Sequence, residues 1–169
     1  MKGIAQIRSV VNDQILGYIY FEDNEKETHI YGELEPLPPG SHGFHIHEKG
    51  DLRYCCDSLG SHYNPTNKVH SGRVLTDKNR VSFKDKNNKE YINFNRHVGD
   101  LSNLDVNKDG NVKFSFCDPL IKLSGDTSII GRSVVIHADK DDLGKGNYED
   151  SLTTGHSGKR IAYGIVGYL

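Results

Sequence analysis

Apolar residues in this chain recur at every second position, and no stretch of useful length recurs at the helical period. Ile4 to Val11 and Ile15 to Phe21 both alternate apolar and polar, with Asn12-Asp13-Gln14 between them, which predicts a β-hairpin. Thr28 to Leu34 reads as a third strand. Glu35-Pro36-Leu37-Pro38-Pro39-Gly40 then interrupts the sheet, because proline donates no ladder hydrogen bond. His42 to His47 is a fourth strand. From Glu48 to about Leu104 the alternation dissolves into Gly, Asn, Asp, Ser and Lys. A small hairpin is expected inside it, from Arg73-Val74-Leu75 and Arg80-Val81-Ser82-Phe83. Strands resume at Asn111 to Phe116 and Ile129 to His137, a second loop covers 138–159, and Arg160 to Tyr168 closes the chain. Seven or eight short strands with two long loops predict an all-β antiparallel sandwich or flattened barrel.

The 169 residues are expected to form one domain spanning 1–169. A net charge of -2 gives no whole-molecule attraction for nucleic acid or an anionic membrane, so neither is expected as a partner. The first residues contain no apolar signal-like run and no segment reaches membrane-spanning length, which makes a cytoplasmic protein the expectation. Three cysteines are too few for a disulfide framework.

The chemistry lies in the nine histidines, most of them between His42 and His97. His45 and His47 sit two apart on an alternating strand, so both imidazoles face the same side of a sheet. His62 and His70 follow in the first loop. His97 and Asp100, three apart, can turn onto one centre, and His137 ends the apolar strand Ser133-Val134-Val135-Ile136-His137. Six histidines and a carboxylate exceed one tetrahedral ion and suit two. A nitrogen-rich tetragonal set fits copper(II), and a His/Asp tetrahedral set fits zinc.

These residues stand in Gly43-Phe44-His45-Ile46-His47-Glu48-Lys49-Gly50-Asp51, His62-Tyr63-Asn64-Pro65, His97-Val98-Gly99-Asp100-Leu101 and Ile129-Ile130-Gly131-Arg132 running to His137. With Asp141-Asp142-Leu143-Gly144-Lys145-Gly146, Thr154-Gly155 and Arg160, the chain resembles copper/zinc superoxide dismutases over nearly its whole length. The resemblance implies an eight-stranded Greek-key fold and disproportionation of two superoxide anions to O2 and H2O2, an antioxidant function. It implies one copper per chain on His45, His47, His62 and His137, and one zinc on His62, His70, His97 and Asp100, with His62 bridging the two. Asp141 would orient ligand histidines from outside, and Arg160 would hold the anion beside the copper, making Arg160 and His62 the catalytic pair. A homodimer and a copper chaperone are the implied partners. A metal-binding relative without turnover and a zinc hydrolase are the alternatives. The hydrolase lacks a positioned carboxylate base.

Three departures from the family stand out. Its usual disulfide would join Cys56 to the last strand, where this chain has Tyr163. Adjacent Cys55 and Cys56 are poorly placed to pair with each other. The interval 71–96 is longer than the family's and reads as a tolerated surface insertion. Thr153 replaces a lysine near the acidic pair Glu149-Asp150, and Lys145, Lys159 and His156 are the candidates to compensate. The stretch Asp105 to Gly110 opens like a calcium loop, but Phe116 stands at the position a glutamate would need, so a tight turn is expected. Among the remaining histidines, His29 and His156 are expected in solvent and His42 in structural hydrogen bonds.

Overall fold

The computed structural model describes residues 1–24, 26–73, 80–84 and 90–169, the segments 80–84 and 90–94 by backbone alone. The strands are β1 (Lys2–Ser9), β2 (Ile15–Asp23), β3 (Thr28–Leu34), β4 (Gly40–His47) and the short β5 (Arg53–Cys56). They continue with β6 (Arg80–Lys84), β7 (Glu90–Phe94), β8 (Asp100–Val106), β9 (Val112–Asp118), β10 (Ser133–His137) and β11 (Arg160–Tyr168). One turn of helix, α1 (Ser151–Thr154), lies in the last long loop.

Eight strands form one antiparallel sheet in the order β8-β4-β10-β11-β1-β2-β3-β9. The sheet curls until its two end strands, β8 and β9, come against each other, giving a nearly closed barrel. They are joined by a tight turn in which Asn111 O accepts from Asn107 N at 2.9 Å and Asn107 Oδ1 accepts from Asp109 and Asn111 N–H. The calcium-loop look of that stretch is therefore turn chemistry.

Alternation decides what each strand does. On β4, Phe44 and Ile46 point into the barrel and are fully buried with Ile7, Phe21, Ile30 and Leu101. Each such side chain removed from water is worth roughly 1.5–3 kcal/mol. The intervening His45 and His47 therefore lie on the outer face, and β10 carries His137 to that face through the register Val135↔His45 and Ser133↔His47. Every residue of β10 is buried, because the core covers one side and the long loops cover the other. Gly43 lets the second loop approach this closely: a Cβ there would meet Ser157 Cβ at 2.7 Å.

Several boundaries differ from the sequence reading: the first strand runs Lys2–Ser9, β5 forms inside the first loop, and the strand expected from Ile129 begins at Ser133. The loop expected to reach Leu104 gives way at Asp100 to β8, which pairs with β4. Ser102 sits at φ 69° and the ladder shifts between Gly43 and His45, so the alternation that marks a strand is broken there. Within the insertion Arg80–Lys84 pairs with Glu90–Phe94. Val74 and Leu75 lie outside the described residues.

Candidate metal centre

Rigid β4 and β10 and the two loops above them converge on a buried cluster of imidazoles. His45, His47, His62 and His137 can each offer one ligand atom, all within 4.8 Å of one another, and so can His45, His62, His70 and Asp100. His97 joins the second group, its Nδ1 3.1 Å from Asp100 Oδ1. The same oxygen receives His62 Nδ1 at 2.9 Å, and His70 Nδ1 stands 3.0 Å away without hydrogen-bond alignment. Three ring nitrogens crowded around one carboxylate oxygen are a donor set that fits a tetrahedral cation.

The opposite ring nitrogens are pinned. Asp141 accepts from His45 Nε2 at 2.7 Å on Oδ2 and from His70 Nε2 at 2.8 Å on Oδ1. His47 Nδ1 donates to Gly60 O at 2.8 Å and His137 Nδ1 to Gly158 O at 2.9 Å. Each bond fixes a tautomer and leaves the other nitrogen facing inward as a lone pair. Consistent with that, His45 Nδ1 and His62 Nε2 are buried without a partner, and His47 Nε2 and His137 Nε2 approach to 3.2 Å. Unpartnered buried nitrogens are costly unless a ligand meets them.

The electrostatics agree. Burial and neighbouring rings hold His45 and His47 far below the usual histidine range, and burial takes His137 down to about 4, so these rings are neutral at pH 7. His70 is the exception. Burial disfavours its charge, but its contacts with Asp100 and Asp141 outweigh that and raise it to about 9. Asp100 lies well below the carboxylate range because, against burial, the three imidazoles stabilise its charge.

The cluster opens into a cleft of about 950 Å³ lined by His47, His62, His137 and Arg160 among others. Arg160 is latched from below: Nη1 donates to Cys56 O and Nη2 to Gly60 O at 2.5 Å. Gly60 O thus serves both Arg160 and His47.

A sequence profile described as copper/zinc superoxide dismutase matches residues 15–166. The chain belongs to the copper/zinc superoxide dismutase family. It is 43% identical over 158 residues to an extracellular superoxide dismutase [Cu-Zn] of Drosophila melanogaster, covering 92% of this chain and 77% of that protein. The crystal structure of the clock protein EA4 superposes with a TM-score of 0.82 at 38% identity, covering 99% of this chain and 94% of that one. Copper and zinc are the metals of this family, and superoxide dismutation is the reaction. No helix among the described residues is long and apolar enough to cross a membrane.

Some structural partners had no signal in the sequence. Arg96, fully buried, donates Nη1 to the carbonyls of His97, Val98 and Asp100 and Nη2 to Asp118 Oδ2 at 2.5 Å. Asn103 clamps the backbone of Asp141, donating to its carbonyl and accepting from its N–H. The histidines outside the cluster have partners too. His42 bonds His137 O and Pro38 O, as expected of a structural residue. His29 and His156, expected in solvent, contact Ser115 Oγ and Asp150.

Proposed function

We propose that His45, His47, His62 and His137 hold the catalytic copper and that His62, His70, His97 and Asp100 hold the zinc, with His62 common to both. One observation carries this reading: His62 directs Nδ1 at Asp100 and leaves Nε2 buried and free on the side of His45 Nδ1. Copper bound there supplies one-electron chemistry, and zinc supplies fixed charge without redox. The residues do the rest. Asp141 keeps His45 and His70 in single tautomers, linking the two sites through one carboxylate. His62 Nε2 is the atom that can take up a proton when it is not a ligand. Arg160, fixed by two carbonyls at the cleft floor, offers a planar cation to a small anion.

The test is to load the protein with copper and zinc, then record its copper EPR spectrum and its superoxide consumption. A nitrogen-ligated copper signal with rapid consumption is expected, and a bound signal without consumption overturns the reading.

The proposal extends to a single domain over 1–169 that assembles as a homodimer. Tyr168 and Leu169 are 62% and 66% exposed at the end of β11, large apolar side chains available to an isologous contact. Light scattering of the purified protein checks it. Copper delivery by a chaperone is tested by comparing loading from a Cu(I)-carrying protein with loading from free copper. The compartment has two readings. Three free thiols suit a reducing cytoplasm, whereas similarity to the extracellular superoxide dismutase of Drosophila melanogaster favours secretion. Recovery of the enzyme from medium or from lysate decides between them.

A further inference from the structure

The mouth of the cleft carries two carboxylates, Glu48 and Asp150, among the cations Lys49, Lys68, Arg132 and Arg160. Both acids line the same cleft as Arg160, with their side chains 43% and 46% exposed. Glu48 Oε1 lies 3.8 Å from Lys49 Nζ. Asp150 is different. Its Oδ1 lies 2.7 Å from His156 Nδ1, and its Oδ2 accepts from Thr154 Oγ1 at 3.0 Å. Histidine is the side chain that changes charge between about pH 5 and 8. One acid is therefore paired with an ammonium and the other with an imidazole.

The imidazole is also held in place. It lies flat against Tyr148, ring centroids 3.6 Å apart and planes within 6°. Asp150 and Tyr148, both from the loop that carries His156, are the titratable groups facing the ring. Among the described residues no group from another element is hydrogen-bonded or ion-paired to it. The ring is exposed, on a backbone at φ 51°.

We propose that His156 sets the charge of the cleft mouth. Protonated, it neutralises Asp150 and admits superoxide. Neutral, it leaves an uncompensated carboxylate on the approach and slows capture of the anion. This rests on the reading of the cleft as the dismutation site. It also gives this loop a pH-dependent cation where Thr153 stands in place of the family's lysine. A unit charge about 10 Å from the path of a monovalent anion in water changes its local concentration about twofold. The effect should vanish at about 1 M salt, where the screening length is roughly 3 Å.

The experiment follows decay of pulse-generated superoxide by the copper- and zinc-loaded enzyme across about pH 5 to 9, at low and high ionic strength. The variants are His156→Gln and His156→Lys. Each sample's copper EPR spectrum is recorded, and the His156 ring signal is titrated by NMR. For the wild type, kcat/KM should fall about twofold as pH rises, with a midpoint matching the NMR titration of His156. His156→Gln should remain on the low plateau and His156→Lys on the high one, with copper spectra unchanged. A ring that merely staples the loop predicts instead an equal loss at every pH in both variants, which overturns the proposal. So does a step that persists in His156→Gln. A loaded wild type that consumes no superoxide overturns the functional reading itself and takes this inference with it.

Discussion

Arg96 and Asp118 meet 2.5 Å apart with essentially no exposure, joining the residue just before His97 to the end of β9. The same guanidinium holds the carbonyls of His97, Val98 and Asp100. One buried ion pair thus fixes the turn that presents two of the proposed zinc ligands.

Asp118→Asn strands the Arg96 charge in the interior. Breaking such a pair costs about 3–5 kcal/mol, or on the order of 10 °C in Tm for a chain of this size. Calorimetry of the zinc-loaded protein measures it, and zinc retention against a chelator should weaken in parallel.

Asp141→Asn tests the shared carboxylate. An amide has one acceptor oxygen, so it can orient His45 or His70 but not both. Zinc affinity should fall roughly 10–100-fold, the usual cost of losing an orienting partner, with an altered copper EPR spectrum. Chelator competition reads the first effect.

Gly155→Ala reaches the same bond from outside. A Cβ there would stand 2.0 Å from Asp141 Oδ1 and 2.4 Å from His70 Nε2, on a backbone at φ 67°. The expected outcome is displacement of Asp141 and faster zinc loss, measured by the same competition. An unchanged zinc affinity would mean that the Asp141–His70 bond is dispensable.

These partners also mark where the sequence stopped being legible. Strict alternation along β4 announced that His45 and His47 would share one face, and the architecture of seven or eight short strands was sharpened to eight by family resemblance. β8 was hidden because Ser102 turns the chain into the left-handed region and breaks the alternation. Arg96 and Asp118 were hidden for another reason. Each sits in an ordinary polar stretch, and only closure of the barrel brings them together. Likewise, nothing local marks Gly60 and Gly158 as the carbonyls that orient His47 and His137, since a backbone acceptor has no residue signature.

The metal-free protein should be most stable near neutrality. His45, His47 and His137 are held below the unfolded value of 6.5, so their contribution is present above that pH. It is lost as pH falls toward about 4, the folded value for His137. His70 acts oppositely: its contribution is complete below 6.5 and is lost as pH rises through about 9. Thermal unfolding in chelator across this range should show Tm falling on both sides. Loading with zinc should abolish the alkaline decline, because the metal then replaces the proton on the ring.

Tyr163→Cys tests the absent staple. Tyr163 packs with Cys56, Leu59 and Val135 in one small buried cluster. A cysteine there should bridge to Cys56 under oxidising conditions, seen by mass spectrometry as the loss of two hydrogens. The oxidised variant should unfold about 2–4 kcal/mol above its own reduced form.

Cys56 lends its carbonyl, not its sulfur, to Arg160, and its thiol forms no disulfide in the cluster it shares with Tyr163. The latch on the proposed anion-binding guanidinium therefore holds nothing that glutathione can reduce. Folding of this loop needs no electron acceptor, and the enzyme's readiness for substrate is uncoupled from the thiol poise of its surroundings.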